Sequence, residues 1–489
     1  MVDPFIAVTW AGFEELLYIL FVDLLIRVLL VIWVLLRKAN NPQAALTWVV
    51  LLMGLPILGL VLYLMIGESR LGYWRRKRHA KAVAVIDLPE VRASADPKTH
   101  VYIGDDETQI SALAEHVSDA PTVGGNRLEL LSDSEKFIDR LVEDIDAAKE
   151  HVNILYYIYL EDHAGRKVAD ALIRAAARGI DCRLLVDAVG SKQFLKSKTH
   201  KNLKQAGVHL AACLPVNALR MVLARIDLRN HRKIAVIDGQ IGYTGSNNLA
   251  EAAFAVKAKY APWVDCTVRI DGPATKELQV LFLEDWYMET NEFHERELNF
   301  RPMVHEDGIP IQIIATGPNF YSEATTQIVQ ACTHLTRKEL VLTTPYFVPD
   351  QATITNLCVT ARRGVDVYLV VPKNNDSHLV GAASRSNYEP LLEAGVMINE
   401  FHKGLLHAKT ITIDKNIAIV MSANLDRRSY ELNFECGAII YDSDFASQLR
   451  MLQQSYLENS TMVDPRAWAN RRPSIRLRDT AAGLMSPLL

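Results

Sequence analysis

Two stretches of this chain repeat the same polar residues at the same spacing. Each has His-x-Lys, an Asp five residues after the Lys, a Ser eight residues after that Asp and an Asn two residues later. The first copy is His231, Lys233, Asp238, Ser246 and Asn248, and the second copy is His407, Lys409, Asp414, Ser422 and Asn424. One His-x-Lys pair alone would be weak evidence, because patterns this short often arise by chance. The duplication predicts that both copies serve a single site.

These residue types suit chemistry at a phosphate. In a strand, His and Lys two residues apart project from the same face. Two lysines, two serines and two asparagines would surround an anion with positive charge and hydrogen-bond donors, as phosphoryl transfer requires. Of two facing histidines, one would attack phosphorus and the other would protonate the leaving alcohol. This chemistry needs neither a metal nor another cofactor, and the sequence has no H-E-x-x-H pattern, carboxylate cluster or phosphate-binding glycine loop.

Asp238 and Asp414 complete the repeated pattern and are counted with its histidines and lysines as the candidate catalytic set. Each lies seven residues after its histidine, which is the wrong parity for the face that carries His and Lys. Gly239 follows the first of them, and Asp-Gly is typical of turns. We therefore expect both aspartates to fix the turn after the strand and not to touch substrate.

Two further acids have matching positions in the repeats. Asp265 lies 34 residues after His231, and Glu435 lies 28 residues after His407, each at the head of a β-like run. A histidine in catalysis usually has a partner that holds its second ring nitrogen. We predict that each acid orients the histidine of its own copy.

The surrounding elements also repeat. A helical pattern ending at Arg-Gly and followed by a β-branched strand occurs at 168–187 and again at 354–372. The stretch 203–210 has a similar counterpart at 391–398. Alternating helices and strands predict an α/β fold. We divide the chain into a membrane anchor (1–69), a polar linker (70–120), a first half (121–300) and a second half (301–489).

Composition indicates a membrane segment and a reduced compartment. The chain has 489 residues, 49% of them hydrophobic, with a net charge of −4. Residues 44–66 carry no charge over about the length needed to cross a bilayer. Residues 16–36 are as apolar but contain Asp23 and Arg27, which are four residues apart and can pair on a helix. This segment is a first span or, alternatively, an interfacial helix. The six cysteines show no C-x-x-C pair, which is typical of reduced thiols.

Basic residues predict the orientation of this anchor. Five of them, Arg70, Arg75, Arg76, Lys77 and Arg78, follow the second apolar segment, and the first sixteen residues contain none. Positively charged flanks remain in the cytoplasm. The pattern therefore predicts a hairpin with both ends, and the bulk of the chain, on the cytoplasmic side.

The repeated pattern resembles the phospholipase D superfamily and, more narrowly, the bacterial cardiolipin synthases of the phospholipase D type. The resemblance runs nearly end to end and includes "NHRKIAVIDG", "TPYFVPD", "HAKTITID" and "SANLDRRSYELNFE". It implies two pseudo-symmetric halves with mixed sheets flanked by helices, an active site at their seam, and an N-terminal transmembrane hairpin in the inner membrane. Met421 departs from the family pattern, which has Gly before the Ser.

The resemblance implies that two phosphatidylglycerol molecules in the bilayer become cardiolipin and glycerol through a phosphatidyl-histidine. His231 would be the nucleophile, and His407 would protonate the leaving glycerol and then deprotonate the incoming hydroxyl; the near-symmetry also permits the reverse order. The lysines, asparagines and serines would hold the phosphate, and Asp265 and Glu435 would orient the imidazoles.

Other functions use the same residues. A hydrolytic phospholipase D, or a synthase with another lipid donor or acceptor, would differ only in its acceptor pocket. The apolar N-terminus and modest net charge speak against a nuclease, because duplex binding normally needs a basic surface. A lipid-binding protein without activity would not need all four His and Lys residues. The sequence leaves the oligomeric state open, including a homo-oligomer.

The first half also contains an insertion. Gly207 lies 24 residues before His231, whereas Gly395 lies only 12 before His407. The extra residues include 218–229, with an apolar helical stripe formed by Leu219, Val222, Leu223 and Ile226. This stripe predicts a membrane-surface helix or, alternatively, a helix packed on the protein core.

Overall fold

The structure is a computed structural model that describes residues 4–37, 42–67, 73–86, 92–216, 225, 227–298, 300–318 and 323–486. The chain divides into two compact units. One comprises residues 1–70 with 217–227, and the other comprises residues 71–216 with 228–489. The predicted helix at 218–229 lies mostly outside the described residues.

The first unit begins with an apolar helix, Pro4–Arg37. Its part Leu17–Arg37 has 21 residues and a mean hydropathy of 2.8, with 6% of the apolar window buried. That length and composition suffice to cross a bilayer. The predicted charge pair within it is confirmed, because Arg27 Nε donates to Asp23 Oδ2 at 2.7 Å. Pairing lowers the cost of charge in an apolar setting.

The second apolar segment is a broken helix. The structure has α-helices at Pro42–Gly54 and Pro56–Leu62, followed by a short π-helix at Tyr63–Gly67. The break falls at Leu55 because Pro56 has no N–H to continue the ladder. The Arg27 guanidinium donates to the carbonyl of Met53, beside the break, at 2.5 Å. The first and second apolar segments therefore contact each other within this unit.

The second unit contains two halves that contribute corresponding strands to one large sheet. In the first half the strands are β1 Thr122–Leu131, β2 His151–Tyr156, β3 Asp181–Asp187, β4 His209–Cys213, β5 Lys233–Ile237, β6 Ile241–Gly245, β7 Trp263–Val264 and β8 Thr267–Asp271. Its helices are Ser134–Ala147, His163–Ala177, Lys198–Gln205 and Thr275–Thr290, with short 3₁₀ turns at Phe194–Lys196, Ala255–Tyr260 and Glu295–Leu298.

The second half follows with strands β9 Ile309–Thr316, β10 Glu339–Thr343, β11 Phe347–Val348, β12 Asp366–Pro372, β13 Met397–Phe401, β14 Leu405–Leu406, β15 Thr410–Ile413, β16 Ile417–Met421, β17 Leu425–Asp426, β18 Glu435–Ile440 and β19 Ser460–Met462. Its helices are Ala324–Leu335, Gln351–Arg362, His378–Ser386, Tyr388–Ala394, Arg427–Glu431, Ser443–Glu458, Pro465–Ala469 and Pro473–Gly483.

One mixed sheet runs through both halves. Its strand order is β19-β13-β12-β10-β15-β16-β18-β9-β1-β8-β6-β5-β2-β3-β4. Outward from the central antiparallel pair of β1 and β9, the two halves follow the same order, with β19 added at one edge. The predicted α/β repeat is confirmed. One apolar core spans the junction and includes Ile270 of β8, Ile313 of β9 and Ala438 of β18.

The stretch predicted to be a polar linker, 70–120, contains packed helices. Tyr73–Ile86 buries Ala82 and Ile86 in the core, and its Arg75 pairs with Glu289 at 2.6 Å. Asp105–Ser118 buries an apolar face against the second half. The polar composition concealed these helices because each buries only a narrow stripe.

A compensation in the sheet accounts for Met421. In the first half, Gly245 at the end of β6 faces Thr267, and a side chain on Gly245 would lie 2.6 Å from the Thr267 Cα. In the second half, Met421 at the end of β16 faces Gly437 instead. A side chain on Gly437 would lie 2.6 Å from the Met421 Cβ. Each pair therefore contains one glycine, on β6 in the first half and on β18 in the second half. The missing side chain allows the two strands of each pair to approach closely.

We expect Gly437→Thr to destabilise the protein by about 1–3 kcal/mol through overpacking against Met421. Combining it with Met421→Gly restores the arrangement of the first half and should recover part of that loss. Thermal unfolding of both single variants and the double variant measures the coupling between the sites. Strictly additive effects would contradict the compensation.

Candidate active site

The two repeated histidines are held by acids from the opposite halves. His231 Nδ1 lies 2.8 Å from Glu435 Oε2, and His407 Nδ1 lies 2.6 Å from Asp265 Oδ1. This pairing is the reverse of the predicted one, in which each acid served its own copy. A carboxylate only accepts, so each Nδ1 carries the hydrogen and each Nε2 is left as the basic nitrogen.

Backbone pairing across the seam produces this exchange. The His231 amide donates to the carbonyl of Phe434, the residue before Glu435, at 2.8 Å. The His407 amide donates to the carbonyl of Val264, the residue before Asp265, at 2.7 Å. Each histidine therefore enters its strand beside the acid of the other half. Sequence order could not reveal this, because the contact depends on how the halves dock.

The two lysines are buried near both histidines. Lys233 Nζ donates to the carbonyl of His231 at 2.7 Å, and Lys409 Nζ donates to that of His407 at 2.6 Å. Burial lowers the pKa of Lys233 to about 8 and that of Lys409 to about 7. Each lysine also lowers the pKa of the histidine in the opposite half, which indicates that the halves converge.

Burial sets the charge state of the histidines. It lowers the pKa of His231 and of His407 to about 4, against the opposing effects of Glu435 and Asp265. Burial would raise the pKa of Glu435, but His231, Lys233 and Ser422 together lower it to about 2. Near neutral pH the site therefore holds ionised acids, neutral imidazoles and partly charged lysines.

The repeated serines contact the acids. Ser246 Oγ donates to Asp265 Oδ1 at 2.6 Å, and Ser422 Oγ donates to Glu435 Oε2 at 2.5 Å. Each serine oxygen also accepts the backbone N–H of the residue after that acid, Cys266 or Cys436, at 2.9 Å. A hydroxyl has one hydrogen to donate. The serines therefore fix the carboxylates that hold the histidines. Their contact with the substrate phosphate stays a prediction.

The repeated asparagines have free acceptor atoms. Asn248 and Asn424 are each 5% exposed, and among the described residues their Oδ1 atoms have no hydrogen-bond partner. A buried amide without partners is costly in a folded protein. Both amides are therefore available to a ligand, and turning an amide by half a rotation presents its NH₂ group instead.

Asp238 and Asp414 act as turn residues, as their parity indicated. Asp238 accepts backbone N–H bonds from residues 149, 150 and 151 at 2.8–2.9 Å. Asp414 accepts the equivalent bonds from residues 337, 338 and 339 at 2.7–2.8 Å. Each ties its turn to the start of the neighbouring strand, at the end of the strand away from the histidine.

Sequence reasoning missed Arg232, which lies between His231 and Lys233 and points to the other face. Its Nη1 donates to Asp285 at 2.8 Å, and its Nε donates to the carbonyl of Glu435 at 3.2 Å. Arg232 therefore joins the strand of one histidine to the strand of its acid. Strand alternation beside His231 was the signal that could have identified it.

Aromatic rings also line the site and were missed. The Tyr157 ring lies 4.8 Å from that of His231, and the Trp263 ring lies 4.5 Å from that of His407. Trp263 also stacks on Phe254 at 3.9 Å. Tyr157 follows β2 and Trp263 begins β7, and neither position carries a sequence pattern that separates it from an ordinary core aromatic.

Within the described residues one group of acids and histidine is close enough to ligate a cation: Asp181, His294 and Glu297. Arg183 donates to all three of them, and its contact with His294 Nδ1 measures 2.9 Å. A guanidinium in that position supplies the positive charge that an ion would bring. We assign no metal site there.

Comparison with known proteins supplies the family. The family model described as "Cardiolipin synthase, PLD-like domain" matches residues 141–286 and 329–455. The chain is 36% identical to cardiolipin synthase A of Edwardsiella ictaluri over 463 residues, which cover 93% of this chain and 94% of that protein. Cardiolipin synthase A of Yersinia pseudotuberculosis (strain PB1/+) matches at 36% over 464 residues with the same coverage. The chain belongs to the phospholipase D-type cardiolipin synthases.

As a member of that family the chain is a phosphatidyltransferase of lipid biosynthesis. A second family model, described as the phospholipase D-nuclease N-terminal segment, matches residues 25–68, which is consistent with association of the apolar N-terminus with a membrane. A crystal structure of phosphatidylserine synthase from Haemophilus influenzae Rd KW20 is similar in fold, with a TM-score of 0.59 at 15% identity. The structural match covers 78% of this chain and 100% of the phosphatidylserine synthase chain.

We expect Ser422→Ala to lower kcat about fivefold, because the carboxylate that holds His231 loses one hydrogen bond. KM for lipid should stay within twofold of wild type, and Ser246→Ala should behave alike. Steady-state kinetics in mixed micelles measure both constants. A matching rise in KM would show that the serines contact the phosphate after all.

Proposed function

We propose that this protein transfers the phosphatidyl group of one phosphatidylglycerol to a hydroxyl of a second, forming cardiolipin and glycerol through a phosphatidyl-histidine. The observation that carries the proposal is the pair of buried histidines, each with its Nδ1 on an acid and a lysine beside it, in a chain of the cardiolipin synthase family. Both histidines keep a basic Nε2 for phosphorus or for a proton.

In the first step His231 Nε2 attacks phosphorus, and the bond from phosphorus to the glycerol oxygen breaks. Protonated His407 gives its proton to that oxygen, so glycerol leaves as a neutral alcohol. In the second step neutral His407 takes the proton from the hydroxyl of the second lipid. That oxygen attacks phosphorus, the bond from phosphorus to nitrogen breaks, and His231 is regenerated.

The charges in the site fit this cycle. Lys233 and Lys409, with Asn248 and Asn424, supply charge and amide groups for the phosphate oxygens. The low pKa of His407 reflects a site without lipid. A bound phosphodiester adds one negative charge among these groups and favours the imidazolium form, so the acid needed for the first step forms when the lipid binds.

The membrane arrangement is also part of the proposal. Residues 16–36 and 44–66 would form a hairpin across the inner membrane, with both halves, 121–300 and 301–489, in the cytoplasm. Support comes from the apolar helix Leu17–Arg37, from the contact between Arg27 and Met53, and from the acid-free basic helix Tyr73–Ile86 that follows the hairpin.

The first test uses full-length protein in micelles with phosphatidylglycerol, radiolabelled in its terminal glycerol, as sole lipid and with a chelator present. Wild type should release labelled glycerol and form cardiolipin, and His231→Ala and His407→Ala should each lose more than about 10³-fold in rate. Phosphatidic acid without cardiolipin would make the protein a hydrolase and would overturn the transfer reaction.

The second test identifies the nucleophile. In a phosphatidyl ester of p-nitrophenol the leaving group is p-nitrophenolate, which departs without protonation. His407→Ala should therefore still be phosphatidylated and should release one equivalent of nitrophenolate in a burst. Peptide mapping should locate the adduct on His231, and His231→Ala should give no burst. A burst from His231→Ala, with the adduct on His407, would reverse the assignment.

A further inference from the structure

The histidines lie at one edge of the sheet, where the strands β3, β6, β12 and β13 end. Three segments directly follow β3, β12 and β13, namely 188–197, 373–379 and 402–404, and the 3₁₀ turn Ala255–Tyr260 lies in the connection from β6 to β7. These four are here called the rim segments. Contacts join the rim across the seam, because Lys257 pairs with Asp376 and the Leu405 amide, next to Gly404, donates to the Pro262 carbonyl at 2.9 Å. The rim therefore lies at the same ends of the strands as His231 and His407, which are only 8% and 4% exposed.

The rim is strongly basic although the chain is not. Over the whole chain, 53 basic residues face 57 acidic ones. The rim segments expose six lysines, namely Lys192, Lys196, Lys257, Lys259, Lys373 and Lys403. Their single acid is Asp376, whose carboxylate is held by Lys257 and by the Tyr346 hydroxyl. This local excess of positive charge fits an anionic surface.

Acids on the neighbouring loops are occupied by local structure. Glu161 accepts from the amide and the hydroxyl of Thr199 at 3.0 and 2.7 Å. Asp162 accepts from the amides of Gly165 and Glu251 at 2.9 and 2.8 Å. These carboxylates cap helices and brace loops but keep their negative charge. Together with Asp376 they are three acids against the six exposed lysines, so an excess of positive charge remains.

Exposed aliphatic side chains lie among the lysines. Val189, Val256 and Leu379 in the rim segments are 41%, 54% and 43% exposed, and Val216 after β4 is 47% exposed. A single exposed valine is ordinary on a protein surface. Aliphatic groups alternating with lysines on loops at one edge are typical of surfaces that enter the interface of an anionic bilayer.

We infer that the rim docks on a bilayer of anionic phospholipid, with Val256 and Leu379 inserted and the lysines on the headgroups. The inference rests on the proposed function and adds the surface through which lipid reaches the buried histidines. The aliphatic groups favour a bilayer over nucleic acid, the other polyanion that lysines attract. The apolar N-terminus tethers the protein, and the rim sets which way the site faces.

The kinetic test compares Val256→Glu/Leu379→Glu with wild type in the full-length protein. On phosphatidylglycerol bilayers the double variant should lose at least tenfold in rate, because its carboxylates oppose insertion. On monomeric short-chain phosphatidylglycerol its rate should stay within twofold of wild type. Met303→Glu is the matched control: Met303 is 63% exposed, and its amide bonds Gln240 in the turn after β5, away from the histidines.

Equal losses on both substrates, or no loss on bilayers, would overturn the docking surface. Wild type without cardiolipin formation on either substrate would instead overturn the proposed function, so the two failures are distinguishable. Thermal unfolding of the double variant, compared with wild type and Met303→Glu, separates this outcome from a fold defect, which would lower its unfolding midpoint. With a lowered midpoint, the labelling measurement on Val256→Cys decides instead.

A second measurement needs no activity. All six cysteines of the chain are buried, so Val256→Cys can be labelled selectively with an environment-sensitive dye. In nanodiscs of phosphatidylglycerol its emission should shift to the blue relative to nanodiscs of phosphatidylcholine, and a label at Met303→Cys should not respond. An equal response at both positions, or a response to duplex DNA in place of lipid, would overturn the inference.

Discussion

The site depends on two hydrogen bonds that cross the seam, from His231 to Glu435 and from His407 to Asp265. In each, one half supplies the imidazole and the other supplies the acid that fixes its tautomer. The histidines are therefore oriented only when the halves are docked. The central pairing of β1 with β9 and the buried Arg232, which bonds both Asp285 and the carbonyl of Glu435, hold that docking in place. The duplicated fold is thus a requirement of the chemistry, because one half alone would present a histidine without its acid.

Buried charge is the second constraint. Two lysines and two ionised acids offset each other in a buried site, and neutral imidazoles add no charge. Removing one member of such a group leaves another buried and uncompensated, which costs several kcal/mol. A phosphodiester that enters this balance carries one negative charge. That charge favours the protonated forms of the partly charged lysines and of the imidazoles, so the binding of lipid and the formation of the general acid are coupled by electrostatics.

Much of this site can be read from the sequence, because identical polar residues at fixed spacing survive in both halves and strand parity separates the lysines from the turn-forming Asp238 and Asp414. The partner of each acid could not be read, since the pairing of His231 with Glu435 is set by the packing of strands that lie far apart in the chain. The compensation for Met421 could not be predicted from the sequence either. The glycine that makes room for it is Gly437 on the neighbouring strand, and only the strand register places the two residues opposite each other. The helices Tyr73–Ile86 and Asp105–Ser118 were missed for a similar reason, since their burial is decided by the surface they meet.

The symmetry of the core has to coexist with a reaction in which the two lipids play different parts. Both histidines have the same kind of acid, lysine and serine around them, so these groups cannot decide which imidazole attacks. The positions two residues before the acids do differ, since Trp263 packs its ring on His407 whereas Asn433 donates to Glu435 Oε1 at 3.1 Å. His231 in turn meets the ring of Tyr157. One imidazole therefore lies against an indole, and the other lies against a phenol ring with an amide bonded to its acid. Because a polar neighbour and an indole stabilise a developing charge unequally, these side chains outside the repeated pattern give the two histidines unequal chemistry.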